Sequence, residues 1–148
     1  FFLKKKEEGV LPITDKRMTR FWIRLEQGVQ FVLDSLKTMH GGELFVPKIP
    51  SMNIMDLANA IAPESKKEII GIRPGEKIHE IMISEDDAIN TLEFDTHFII
   101  QPAHPWWDNL DYIKINGGKP VDNDFVYSSG NNTQWLDIPE LKNIIANL

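Results

Sequence analysis

"EIIGIRPGEKIHE", residues 68–80, sets an apolar run, Ile69-Ile70-Gly71-Ile72, directly ahead of an arginine, a proline, a glycine and a glutamate. A short apolar run bounded by turn residues predicts a strand. Pro74-Gly75 predicts a tight turn, since proline presets φ and glycine tolerates backbone angles that side chains resist. That turn would return Glu76 to the side of Arg73. In α/β folds, ligand-binding groups gather just past the carboxyl ends of strands. Arg73 there offers a planar fork of donors suited to a diphosphate. A carboxylate at Glu76 offers acceptors to the paired hydroxyls of a ribose. Phosphate donor beside diol acceptor reads as a nucleotide clamp, and the same local pattern reads equally as a surface turn closed by an Arg–Glu pair.

Working outward, Gly9 to Asp15 predicts a short strand or turn, and Arg20 to Leu25 a second extended piece. Val29, Val32, Leu33 and Leu36 recur at helical spacing, so a helix follows and stops at Gly41-Gly42. Leu44-Phe45-Val46 is a candidate buried strand, after which Pro47 and Pro50 deny regular pairing. Asn53 is a candidate N-cap for a helix carrying Ile54, Leu57, Ala58 and Ile61, ending before Pro63. Lys77 to Ile83 is expected to form a helical turn or two, and Thr96 to Ile100 a strand. Residues 102–132 are rich in Asn, Asp and Gly and predict an irregular connection; Trp106-Trp107 within it reads as a contact surface. Asp137 and Pro139 open a last helix, 138–148, with Leu141, Ile144 and Ile145 inward. The order is mixed α/β, and the length of 148 residues predicts one lobe spanning 1–148.

Composition narrows the function classes. With 42% hydrophobic and 26% charged residues, and no apolar run near the roughly 20 residues that cross a bilayer, a membrane protein is not expected. The net charge of −6 argues against nonspecific nucleic-acid binding. Charge is uneven: residues 1–24 hold seven Lys/Arg against three acids, which allows the N-terminal part to face an anion, while a solvated mixed surface accounts for most of the lysines. The absence of cysteine excludes disulfides and thiolate metal sites and suits a cytoplasmic enzyme. The missing initiator Met is read as a chain that begins mid-protein.

Arg20 is the second candidate cation. In an extended segment it shares a face with Trp22 while Phe21 and Ile23 take the other, so Arg20 can project into a cleft, and the same pattern reads equally as a half-buried strand with snorkelling arginines. No Gly-x-Gly-x-x-Gly, no phosphate loop, no Tyr-x-x-x-Lys pair and no His-Glu-x-x-His is present, and the four histidines lack metal-ligand spacing. No catalytic residue and no metal ligand is assigned.

Four blocks, "LPITDKRMTRFW", "GGELFVPKIPSM", "GIRPGEKIHEIMI" and "FVYSSGNNTQWL", occur in an order that resembles the C-terminal part of the inverting UDP-N-acetylglucosamine 4,6-dehydratases, extended short-chain dehydrogenase/reductases of bacterial polysaccharide and pseudaminic acid biosynthesis. The resemblance implies a mixed α/β substrate-binding lobe, with NADP and the catalytic set in a Rossmann half absent from this chain. It implies Arg20 and Arg73 on the diphosphate of UDP-N-acetylglucosamine or a related UDP-sugar and Glu76 on the uridine ribose, with Met18, Thr19 and Lys48 lining the same pocket. It implies partners in the missing half or an intact homologue, and a homo-oligomer in the full-length enzyme. Two other readings stay open: a capsule-type nucleotide-sugar epimerase, and a noncatalytic module that associates through its uncovered apolar face.

Overall fold

A computed structural model describes residues 1–102 and 117–147. Where the sequence predicts one lobe, the chain divides into two compact units, each assembled from separated segments. The first comprises Phe1–Trp22, Pro50–Glu80 and Ser128–Leu148; the second comprises Ile23–Ile49 and Ile81–Tyr127.

In the first unit, a short helix α1 (Phe2–Lys5) precedes β1 (Val10–Ile13), β2 (Thr19–Phe21), β4 (Ser51–Asn53), α3 (Ile54–Ile61) and β5 (Lys66–Ile69), and the unit closes on the C-terminal helix α5 (Ile138–Ala146). β1 and β5 run parallel in register from Val10↔Lys66 to Ile13↔Ile69, and β2 pairs antiparallel with β4. A parallel pair requires a crossover, and α3 lies within it. The Asn53 side chain accepts the Met55 N–H at 2.7 Å, as the N-cap reading expects. Leu11, Ile13, Ala58 and Ala62 form the core, with Phe2, Ile54, Met55 and Ile61 packed around them. At α5, Asp137 and Glu140 form a reciprocal capping box with proline in the first turn. Leu141 is fully buried.

The second unit holds α2 (Leu25–Thr38), β3 (Leu44–Pro47), β6 (Ile81–Ile83), α4 (Glu85–Ala88), β7 (Thr91–Glu93), β8 (His97–Ile100) and β9 (Lys119–Pro120). Four of its strands make an antiparallel sheet in the order β3-β8-β7-β9. Pro47 ends β3 opposite His97, so the proline terminates the ladder instead of lying beyond it. The apolar stripe of α2 is not core: Leu25, Val29, Val32, Leu33 and Leu36 are all exposed, and the helix has no buried residue. Two short strands sit around a cluster of rings: His97 stacks on Phe94 at 4.8 Å and on Phe45 at 5.8 Å, with Phe31 edge-on at 6.2 Å. A tenth strand, β10 (Tyr127–Ser128), lies where the chain passes from one unit to the other.

Two predicted elements are displaced. The strand expected at Ile69–Ile72 lies earlier, at Lys66–Ile69, because Gly71 takes φ +86°, outside extended geometry. Its Lys-Lys-Glu opening gave no apolar signal, since none of its residues is buried. The helical turns expected over Lys77–Ile83 do not form. Ile78 accepts the Thr19 N–H at 3.0 Å and Glu80 accepts the Ser129 N–H at 2.8 Å, so those carbonyls are spent on neighbouring segments and cannot serve a helix. Of the irregular stretch 102–132, the part from 117 onward carries β9, β10 and turns. His104 and Trp106-Trp107 lie outside the described residues, as does Leu148 at the end of the predicted last helix. Among the described residues, no helix is long and apolar enough to cross a membrane.

The ring cluster makes the second unit pH-sensitive. Burial first, and then the charge of Lys48, holds His97 below its ordinary 6.5. As pH falls the unfolded chain takes up this proton before the folded one does. The contribution of neutral His97 is therefore complete above its unfolded pKa and declines as pH drops through and below 6.5. Thermal melts should show a transition that falls in this window, and His97→Phe, which keeps a ring in the stack, should flatten the dependence. An unchanged slope in the variant would assign the effect to other groups.

Candidate functional site

The carboxyl ends of β1 and β5 build the site. Ile70 donates its N–H to Ile13 O at 2.9 Å, extending the parallel ladder by one bond before Gly71 turns the chain away. Arg73 to Glu76 then closes a turn: the Glu76 N–H donates to Arg73 O at 3.1 Å, and Gly75 at the third position has φ +86°. Proline second and glycine third with positive φ is the pattern of a type II turn. One carboxylate oxygen of Glu76 accepts the Arg73 backbone N–H at 3.0 Å. The turn is thus clamped by backbone and side chain together, which holds Glu76 against Arg73 as the sequence predicts. The bond goes to the amide of Arg73, and its guanidinium has no partner among the described residues.

Arg20 is held much more firmly. In β2 it faces Met52 across the antiparallel pair. Its Nη1 donates to Thr19 O at 2.6 Å and Ile78 O at 3.2 Å, and its Nη2 to Met18 Sδ at 3.6 Å. Nε stands 3.7 Å from Glu80 Oε1, while the other Glu80 oxygen accepts the Phe21 N–H at 3.0 Å. The side chain retains 28% of its accessible surface. Arg17, three positions earlier, is consumed locally: Asp15 accepts its backbone N–H at 2.8 Å, its Nε at 3.0 Å and its Nη2 at 2.8 Å. Those side-chain bonds from Arg17 pull the Asp15 carboxyl down to about 2. Of the two arginines in this stretch, Arg20 is the one that faces the cavity.

Arg20 and Arg73 line a single cavity of about 290 Å³, together with Glu76, Met18, Thr14 and Ile54. That volume lies at the lower edge of the roughly 300–1,000 Å³ usual for ligand sites, enough for part of a nucleotide sugar. A larger cavity of about 680 Å³ in the second unit is lined by Glu26, Asp34, Phe31 and His97 among others and carries no lysine or arginine to meet an anion.

Two of the predicted pocket residues are not among those that line this cavity. Thr19 is 4% exposed, and its hydroxyl is bound to Ser129 and His79 instead of facing the cavity. Lys48 belongs to the second unit, where its Nζ pairs with Glu93 at 2.7 Å and stands 4.9 Å from the centre of the Phe98 ring. Both assignments rested on sequence blocks, which do not reveal which way a side chain faces. Conversely, Glu80 and Ser129 carry no local signal although both lie inside quoted blocks, and His79 reads from sequence only as an ordinary surface or hydrogen-bonded histidine. Their relevance comes from segments that meet only in the folded unit.

A model of the family described as "Polysaccharide biosynthesis protein" matches residues 1–102. This chain belongs to that family. As a member of the polysaccharide biosynthesis family it is 53% identical, over 151 aligned residues, to the inverting UDP-N-acetylglucosamine 4,6-dehydratase of Campylobacter jejuni subsp. jejuni serotype O:2, covering 98% of this chain and 45% of that protein. It is 33% identical to a UDP-glucose 4-epimerase of Rickettsia conorii, covering all of this chain and 44% of the relative. The chain therefore spans under half the length of the curated relatives it matches. The structure resembles the X-ray structure of Pen from Bacillus thuringiensis with a TM-score of 0.76 and 28% identity, over 99% of this chain and 42% of that one. The mixed α/β fold expected of the C-terminal portion of an extended short-chain dehydrogenase/reductase holds.

Proposed function

We propose that this chain is the UDP-sugar-binding part of an inverting UDP-N-acetylglucosamine 4,6-dehydratase serving surface-sugar biosynthesis of the pseudaminic acid type. The observation that carries the reading is the shared cavity: a hydrogen-bonded cation, Arg20, and one without a side-chain partner among the described residues, Arg73, beside the Glu76 carboxylate. The high identity to a relative named for that activity supports it. The relative named as an epimerase acts, by its name, on a UDP-hexose as well. The cavity answers to what the two names share, the nucleoside diphosphate, so a nucleotide-sugar epimerase is the second reading.

The residues present do not fit NADP: the chain has no glycine-rich dinucleotide loop and no Tyr-x-x-x-Lys pair. The cofactor, which would store a hydride during the reaction, is assigned to the remainder of a longer protein. The exposed apolar stripe of α2 supports such a partner, because a helix with no buried residue leaves apolar surface for another body to cover. We place the protein in the cytoplasm, where nucleotide sugars are made, and expect the full-length enzyme to form a homo-oligomer. The part played by this chain's own residues is anchoring: binding energy from the remote nucleotide holds the sugar in reacting register.

Calorimetry on the intact protein tests the clamp. Because its guanidinium is exposed, Arg73→Ala should weaken UDP binding by only about 1 kcal/mol. Glu76→Gln should weaken UDP while leaving inorganic pyrophosphate untouched, since only UDP carries the ribose diol. Equal losses for both ligands would remove the hydroxyl role from Glu76, and an intact protein that fails to bind UDP would remove the reading itself.

A further inference from the structure

Arg20 reaches the cavity from a frame tied by three segments far apart in the chain. Nη1 of Arg20 is bonded to two carbonyls, Thr19 O at 2.6 Å and Ile78 O at 3.2 Å. The Thr19 N–H donates to the same Ile78 O at 3.0 Å. Ser129, fully buried, accepts the Glu80 N–H on its hydroxyl at 2.9 Å and returns its own N–H to Glu80 O at 2.8 Å. The Ser129 Oγ lies 2.7 Å from Thr19 Oγ1 and 3.2 Å from Thr19 O, and His79 Nδ1 lies 2.8 Å from Thr19 Oγ1. The carbonyls that aim Arg20 are therefore set by a hydroxyl–hydroxyl–imidazole chain.

The protons can be placed. In one order, Thr19 donates to an unprotonated His79 Nδ1 and accepts from Ser129. In the other, His79 donates to Thr19, Thr19 to Ser129, and Ser129 to Thr19 O, which it shares with Arg20. Every hydroxyl is satisfied in both orders. Deleting the Thr19 hydroxyl unties His79 and leaves the Ser129 hydroxyl only the Glu80 N–H and the residue-19 carbonyl, so the chain that links the three side chains is broken in either case. His79 is also packed against Gly130: a Cβ there would sit 2.6 Å from the ring's Cγ, so a side chain at 130 requires the imidazole or the backbone beside it to shift.

We propose that Thr19, Ser129 and His79 are positioning residues that preset the Arg20 guanidinium for a ligand diphosphate without touching the ligand. The inference rests on the UDP-sugar reading of the cavity and adds what orders its principal cation. A guanidinium ordered during folding need not be ordered again on binding, which raises affinity for the anion alone.

A double-mutant cycle on the intact protein, read by calorimetry with UDP and with uridine, tests this. Thr19→Val, nearly equal in shape, should lower UDP affinity about five- to tenfold and leave uridine unchanged. Introduced into Arg20→Ala, it should cost nothing further. Thr19→Ser, which keeps the hydroxyl, should restore UDP affinity. Gly130→Ala, at an exposed position, should copy the loss by moving His79, and serves if Thr19→Val does not fold. Equal losses with and without Arg20, or losses that extend to uridine, would overturn the positioning role while leaving the cavity reading standing. Arg20→Ala with undiminished UDP affinity would overturn both.

Discussion

Arg20→Ala is expected to weaken UDP binding by the intact protein by about 2–3 kcal/mol, roughly 30- to 150-fold. The magnitude follows from position. Arg20 keeps little more than a quarter of its side-chain surface and is fixed by two carbonyls and the Glu80 carboxylate. Its charge meets an anion in partly desolvated surroundings, where the attraction is less screened than at an open surface. Arg73 carries the same charge without that frame, hence its smaller expected share. Titration of UDP and of uridine separates the two parts of the ligand. Loss of UDP affinity with unchanged uridine affinity locates Arg20 at the diphosphate, and parallel losses would place its effect on the unit as a whole. Arg20→Lys should recover only part of the affinity, because an ammonium cannot hold two carbonyls and an oxyanion with the geometry of the planar fork.

Leu141→Ala should destabilise the first unit by about 3 kcal/mol, with a range of roughly 2–5, because it empties a fully buried position. The family match ends at residue 102 and does not speak for the tail. The burial of Leu141, and the packing of α5 on α3, make the tail part of the core. Denaturant unfolding followed by a probe in the first unit would show a lower midpoint at similar slope. A variant as stable as the parent would mean that α5 is an appendage. The same experiment bears on the site, since the tail segment that ends in α5 also delivers Ser129 to the Arg20 frame.

Local chemistry made several elements legible. The Asn53 cap, the Asp137-Pro139 start of the last helix, the Arg73–Glu76 turn and the helices at 25–38 and 138–146 follow from contacts within a few residues of one another. Where a distant partner decides the pairing, the local pattern does not show it. β5 has no apolar signal because its partner β1 defines it, and residues 77–80 lost their expected helix to bonds from Thr19 and Ser129.

By itself the sequence determined the mixed α/β order, the turn that joins Glu76 to Arg73 and the family to which the chain belongs. The tertiary structure alone decided the division into two units, the exposure of the α2 stripe, the pairing of Lys48 with Glu93 inside the second unit and the burial of Thr19. It gave Arg20 and Arg73 the common cavity that the resemblance implied, and it alone tied Arg20 to the segment carrying Ser129. The physical reason is range. Caps and turns close bonds between near neighbours, so composition and spacing encode them. A cation's partners and a hydroxyl's burial depend on segments that loop closure and packing bring together from opposite ends of the chain.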